Sequence, residues 1–126
     1  MMDTAWLWSQ RSLCSRAAVG AVVAVDGRAV ATGYNGPPAG SKPCTCNSEA
    51  PCTETVHAEL NAILFAAKRG VATDGATLYT TVAPCLGCSG AIVNSGIIRV
   101  VYAQVYRSLD GVRKLQELGV KVDYGT

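Results

Sequence analysis

Histidine, charged residues and aromatic residues are all scarce in this sequence. Its 126 residues include a single histidine, 16% charged residues and 6% aromatic residues. Lysine and arginine exceed aspartate and glutamate by 11 to 9, and this small excess disfavours a nucleic-acid-binding surface. Hydrophobic residues nevertheless make up 49% of the chain, which excludes a disordered protein. We therefore expect one packed domain over residues 1–126 and no nucleic-acid partner.

The sequence also lacks a long apolar segment and a recognisable secretion signal. The apolar run 17–25 is far shorter than the about 20 residues that a membrane-spanning helix needs. The start Met1-Met2-Asp3-Thr4 has no basic segment of the signal-peptide kind. We expect no membrane partner and a cytoplasmic location, where the six cysteines stay reduced. So few charges also favour apolar surface buried between subunits, and hence a homo-oligomer.

The single histidine belongs to the pattern His57-x-Glu59, which Pro84-Cys85-x-x-Cys88 follows later in the chain. Imidazole and thiolate are common zinc ligands, and a catalytic zinc site has three protein ligands and an open position for water. His57, Cys85 and Cys88 supply three ligands, and Glu59 is placed to transfer protons without binding metal. An isolated C-x-x-C is also typical of a structural zinc half-site or a redox pair. Glu59 beside the histidine favours a catalytic zinc.

Both halves of this pattern are predicted to lie where helices begin. A helical repeat follows His57 and ends at Gly70, with Thr55 as a candidate cap. Its apolar positions are Leu60, Ile63, Leu64 and Ala67. Cys85 and Cys88 are three residues apart at a second helix start. Two helix N-termini would then direct positive dipole ends at the metal, which favours thiolate ligands.

The remaining periodicities predict an α/β fold. Strands are predicted at 19–25, 28–32, 76–81, 97–103 and 120–124, and further helices at 4–11 and 109–118. Asp26-Gly27 predicts a tight antiparallel hairpin between the first two strands. The alternation of strand and helix after His57 predicts parallel strands joined by helices.

Nearly the whole chain resembles the deoxycytidylate (dCMP) deaminases of the cytidine deaminase-like superfamily. Beside the metal pattern, the resemblance rests on Val19-Gly20-Ala21-Val22, Gly33-Tyr34-Asn35-Gly36, His57-Ala58-Glu59-Leu60-Asn61-Ala62-Ile63 and Asn94-Ser95-Gly96-Ile97. It implies a single zinc-dependent domain with three αβα layers and a five-stranded mixed sheet. It also implies hydrolysis of dCMP to dUMP and ammonia, which supplies a precursor of dTMP. Glu59 would move the protons, and the backbone at Ala58 and Val82 would lie against the base.

The resemblance also places candidate residues for deoxyribose and phosphate. Asn35 would reach the 3′-hydroxyl, although Tyr-Asn-Gly is also good turn sequence on its own. Arg16, Tyr106 and Arg107 fall where related enzymes hold the phosphate. The alternative for each arginine is a solvated surface residue.

A regulatory site is a further implication of the resemblance. Gly33, Tyr34, Asn35 and Gly36 resemble the stretch that binds dCTP, with Mg²⁺, in allosterically regulated members, which are hexamers. Some small relatives lack this regulation, so a regulated and an unregulated enzyme both stay open.

Four cysteines lie outside the catalytic pattern: Cys14, Cys44, Cys46 and Cys52. Three of them lie in the loop before His57, and the predicted hairpin brings Cys14 near the start of that loop. Four thiolates form a normal structural zinc site, so we predict a second zinc here. The alternative is a set of free thiols or a disulfide.

Three other functions fit parts of the pattern. The chain could deaminate another cytosine compound, such as a modified dCMP, dCTP or cytidine. A tRNA adenosine deaminase is disfavoured by the low net charge. A zinc-stabilised binding module without turnover is disfavoured by Glu59, because a purely structural site needs no adjacent acid.

Overall fold

A computed structural model describes residues 1–14, 16–42, 44 and 54–125. Along the chain, these residues form α1 (Met2–Ser9), β1 (Gly20–Val25), β2 (Arg28–Tyr34), α2 (Ala58–Arg69), β3 (Thr77–Val82), α3 (Leu86–Asn94), β4 (Arg99–Gln104), α4 (Asp110–Glu117) and β5 (Lys121–Tyr124). Each predicted strand and helix is present, with boundaries that differ by a residue or two. None of the helices in these ranges is long and apolar enough to cross a membrane.

The strands form one mixed sheet of five, in the order β2-β1-β3-β4-β5. β1 is antiparallel to both β2 and β3, whereas β3, β4 and β5 are parallel. The hairpin between β1 and β2 turns at Asp26 and Gly27, whose φ angles are 51° and 74°. Two successive positive φ angles are typical of the tight turn that the Asp-Gly pair predicts. The α/β prediction and the five-stranded sheet are both confirmed.

Helices cover both faces of the sheet and complete three αβα layers. On one face, Met2 and Ala5 of α1 pack with Val22 and Val101 in a small cluster. The larger cluster, on the other face, joins α2, α3 and α4 to residues such as Val23. Val22 and Val23 belong to opposite clusters because successive side chains of a strand point to opposite faces. The metal pattern lies on the side of the larger cluster.

The helix after His57 forms as predicted, but only Ile63 of its apolar repeat is seen to pack against the larger cluster, and alanines form the face nearest the sheet. Ala58, Ala62 and Ala66 are fully buried, whereas Leu64 is 50% exposed. A side chain at Gly33 of β2 would collide with the backbone of Ala58 and Ala62. Small residues on both elements therefore let α2 lie directly against β2.

The predicted cap of α2 was wrong. His57, not Thr55, is the N-cap, and its backbone is extended with φ −67° and ψ 154°. Gly70 ends the helix as predicted, in the left-handed conformation with φ 69°. Because the N-cap residue is outside the helical backbone, its side chain does not follow the helical repeat. His57 and Glu59 can therefore face the same pocket although they are only two residues apart.

Candidate active site

The first turns of α2 and α3 bring the three predicted zinc ligands together. His57 is the N-cap of α2, Cys85 is the N-cap of α3, and Cys88 lies in the first turn of α3. The Nδ1 atom of His57 is 3.4 Å from the Sγ atom of Cys85 and 3.3 Å from that of Cys88. All three ligand atoms lie within 4.8 Å of one another. Both helix N-termini therefore meet at this cluster.

The cluster fits a tetrahedral zinc ion. Zn–S bonds of about 2.3 Å and Zn–N bonds of about 2.0–2.1 Å give tetrahedral N–S edges of about 3.6 Å. The observed edges of 3.3 and 3.4 Å are close to that value. Within the described ranges, the group that could hold a metal consists of His57, Cys85 and Cys88, with no fourth side-chain ligand. Three ligands of this kind are typical of a catalytic zinc site.

Hydrogen bonds in the cluster favour the thiolate form of Cys85. The side chain of Cys88 and then that of His57 lower the pKa of Cys85 to about 3. The backbone N–H of Cys88 also donates to the Sγ atom of Cys85, at 3.4 Å. The hydrogen bond between the His57 ring and the Cys85 side chain is the largest effect that raises the pKa of His57, and burial opposes it. Cys85 is thus poised as the thiolate that metal binding requires.

Glu59 lies beside the cluster in the first turn of α2 and is only 4% exposed. Burial raises the pKa of its carboxyl, while its own backbone N–H and His57 act in the opposite direction. The hydroxyl of Thr80 lies 3.5 Å from Oε1 of Glu59. A raised pKa makes this carboxylate a stronger proton acceptor than an ordinary glutamate. This environment suits the predicted proton transfer.

A pocket of about 260 Å³ contains His57, Glu59 and Cys85. The structure places every predicted substrate-binding residue on its lining: Arg16, Asn35, Ala58, Val82, Tyr106 and Arg107. Ser108, which follows Arg107 and was expected to add backbone amides to the phosphate site, also lines the pocket. The sequence did not predict four other lining residues, namely Ala17, Val19, Thr55 and Ala83. Ala17 and Ala83 directly follow the predicted residues Arg16 and Val82, and that adjacency was the available signal.

Asn35 has a structural role beyond the turn that its sequence predicts, because its side chain bonds to the segment before β1. Its Oδ1 atom accepts the backbone N–H of Val19 at 2.9 Å, and its Nδ2 atom donates to the carbonyl of Ala17 at 2.7 Å. These bonds hold the segment before β1 against the end of β2. The side chain is buried, yet Asn35 also lines the pocket. A side-chain amide nitrogen carries two protons, so contact with a ligand is compatible with this role.

The other residues of the Gly33–Gly36 stretch have mainly structural contacts. The ring of Tyr34 stacks on that of Trp8, with centroids 6.2 Å apart. Gly36 pairs with Val56 in an isolated β-bridge that closes the long loop before α2. Asn35 is the member of this stretch that lines the pocket.

The predicted second metal site is only partly within the described ranges. Cys46 and Cys52 lie outside them, whereas Cys14 and Cys44 are half-buried. Cys14 lines the pocket, a position that its place in the sequence did not predict. The four-cysteine site therefore stays a prediction.

A family model and individual relatives point to the same protein family. Residues 1–104 match the cytidine and deoxycytidylate deaminase zinc-binding region. Over 75% of its length, the chain is 46% identical to the deoxycytidylate deaminase of Mycobacterium phage D29, of which the match covers 84%. The deoxycytidylate deaminase of Enterobacteria phage T4 is 34% identical, with 84% of this chain and 77% of the relative covered.

A solved structure gives the same family and fold. The dCMP deaminase of cyanophage S-TIM5, solved in complex with dCMP and dUMP, superimposes with a TM-score of 0.93. It is 40% identical to this chain, and the match covers 98% of this chain and 93% of that one. The family match and these relatives together show that the chain belongs to the cytidine and deoxycytidylate deaminases.

Proposed function

We propose that this protein is a zinc-dependent enzyme that hydrolyses dCMP to dUMP and ammonia. The observation that carries the proposal is one pocket that combines a three-ligand zinc cluster, the buried acid Glu59, and the cations of Arg16 and Arg107. The named activity of the D29, T4 and S-TIM5 relatives supports dCMP as the substrate. The protein would supply dUMP for dTMP synthesis.

The chemistry exchanges the amino group at C4 of cytosine for oxygen from water. Zinc held by His57, Cys85 and Cys88 would lower the pKa of a water molecule in its open position to about 7. Glu59 accepts one proton from the attacking water and delivers it to ring N3 as the water oxygen bonds to C4. It then takes the remaining hydroxyl proton and passes it to the amine, so that the C4–N bond breaks and ammonia leaves. Ala58 and Val82 line the pocket, and their backbone would pack against the base. Each proton that Glu59 takes up is returned before the next turnover.

A panel of substrates tests this activity directly. Ammonia release should be fastest with dCMP among plain dCMP, 5-modified dCMP, dCTP, deoxycytidine, cytidine and tRNA. Faster turnover of another cytosine compound would move the assignment to that substrate within the family. Stoichiometric zinc without turnover of any of them would instead support the binding module.

The phosphate would be recognised by the positive groups of the pocket. Arg16 is half-buried and Arg107 is exposed, so both guanidinium groups can reach a bound ligand. The guanidinium group of Arg107 lies over the ring of Tyr106, 5.2 Å from its centroid, and both residues line the pocket with Ser108. Arginine binds phosphate through several N–H groups at once.

Arg107→Ala is therefore expected to lower kcat/KM for dCMP by about 10–100-fold. This corresponds to the loss of one hydrogen bond to a charged group, which contributes about 1.5–3 kcal/mol. The value for deoxycytidine should change little, because the nucleoside has no phosphate. Arg113→Ala is a matched control, since Arg113 is exposed and pairs with Asp110 outside the pocket. Equal kcat/KM for nucleotide and nucleoside in the wild type would contradict the phosphate assignment.

We further propose a cytoplasmic homo-oligomer, by family resemblance a hexamer. The low charge content and the exposed apolar side chains Leu64 and Phe65 of α2 support a subunit interface.

In a regulated enzyme, the Gly33–Gly36 stretch would bind dCTP together with Mg²⁺. Sedimentation of the pure protein, and dCMP turnover with and without dCTP and Mg²⁺, test these two proposals separately.

A second, structural zinc is proposed at Cys14, Cys44, Cys46 and Cys52. Metal analysis should then find two zinc ions per subunit in the wild type. Cys52→Ser should lower the content to one, because a four-ligand site that loses a thiolate binds zinc far more weakly. Stability should fall before turnover does, since the catalytic ligands are untouched. One zinc per wild-type subunit together with four titratable thiols would refute this site.

A further inference from the structure

We propose that Thr80 is a positioning residue whose hydroxyl group holds the carboxyl of Glu59 in its reactive place beside the pocket. The inference rests on the proposed function, because it concerns the group that moves protons in that reaction. It adds a second residue of β3, after Val82, to a site built mainly from helix starts and loops.

Thr80 and Glu59 are both buried and lie close together. Thr80 on β3 is completely buried, and Glu59 of α2 is 4% exposed. Oγ1 of Thr80 lies 3.5 Å from Oε1 of Glu59. The distance is at the long end of the hydrogen-bond range, but both groups are buried, so little water competes for the contact. Leu78 precedes Thr80 by two residues and shares its face of the sheet, in the core cluster beneath α2.

The hydroxyl of Thr80 is itself held in place. Oγ1 donates to the backbone carbonyl of Val82 at 2.9 Å, and threonine has few side-chain rotamers because it is branched at Cβ. Because that bond uses its only proton, Oγ1 faces Glu59 with its lone pairs and can accept a hydrogen bond from the carboxylic acid form of Glu59. Thr80 is thus a rigid partner for a flexible side chain.

The position of Thr80 explains why one hydroxyl matters for the reaction. Glu59 also interacts with its own backbone N–H and with Cys88. Its contact with Thr80 comes from the strand that continues through Val82 to the ligand Cys85. A displacement of about 1 Å of a catalytic group can cost about 100-fold in rate. Loss of the hydroxyl should therefore affect the chemical step more than substrate binding.

Two replacements at Thr80 and one at its neighbour test this role. Thr80→Val keeps the shape and removes the hydroxyl, so kcat for dCMP should fall by about 10–100-fold with KM changed less than about 3-fold. Thr80→Ser keeps the hydroxyl and should recover most of kcat. Thr81→Val is the matched control, because Thr81 is equally buried but its Oγ1 accepts the backbone N–H of Gly20 at 3.1 Å. It should lower the melting temperature and leave kcat almost unchanged.

The outcomes separate this inference from the proposed function. A wild-type protein without turnover on dCMP would overturn the proposed function and this inference with it. An active wild type whose Thr80→Val variant keeps its kcat would overturn the inference alone. The same holds if Thr80→Ser is as slow as Thr80→Val, or if Thr81→Val lowers kcat equally. Zinc content, measured for each variant, should stay at the wild-type value.

Discussion

Glu59→Gln is expected to lower kcat for dCMP by about 100–10,000-fold or more, while the zinc content stays near that of the wild type. Glutamine has nearly the shape of glutamate but cannot accept and return the proton. Glu59 is not part of the cluster of metal ligands, so its replacement leaves all three ligands in place. The melting temperature should not fall, because the amide removes a carboxylate that is costly to bury.

Glu117→Gln provides the control for the loss of a carboxylate. Glu117 is an exposed residue of α4 that pairs with Lys114 and does not line the pocket. Its replacement should leave kcat, KM and zinc content unchanged. If Glu59→Gln turned over dCMP at nearly the wild-type rate, the proton-transfer role of Glu59 would be wrong even though the zinc site remained.

Cys85→Ala is expected to lose the catalytic zinc and the activity together. Two protein ligands would remain, and a catalytic zinc site is typically held by three. Cys85 is exposed, so alanine leaves no cavity in the core. It does remove the side-chain cap of α3, which accepts the backbone N–H of Cys88 and is typically worth about 1 kcal/mol. Metal analysis and steady-state rates on the same samples measure both losses.

Cys85→Ser separates the loss of the helix cap from the loss of the metal ligand. Serine is a good N-cap residue but a poor substitute for a zinc thiolate, so this variant should recover the melting temperature and not the zinc. Retention of one equivalent of catalytic zinc by Cys85→Ala, with turnover intact, would contradict the assignment of Cys85 as a ligand.

Local sequence determined the parts of the site that lie at single helix starts. Cys85 is the N-cap of α3 and Cys88 lies in its first turn, where the Cys85 side chain accepts the backbone N–H of Cys88, so a single helix start brings both thiols together. His57 and Glu59 share a pocket because one is the N-cap and the other lies in the first turn. The hairpin at Asp26-Gly27 was predictable for a similar reason, since the turn depends on the φ angles of two adjacent residues.

Tertiary packing decided the features that join distant parts of the chain. The hydroxyl of Thr80 meets Glu59 across 21 residues of sequence, a contact that no periodicity predicts. α2 has apolar residues on more than one side, and the glycine at position 33 of the neighbouring strand selected the alanine face over the side that carries Leu64. The place of Cys14 in the pocket likewise follows from how the segment before β1 lies against the end of β2. Periodicity records which residues share a face of one element, whereas the choice of face and neighbour depends on close packing between elements.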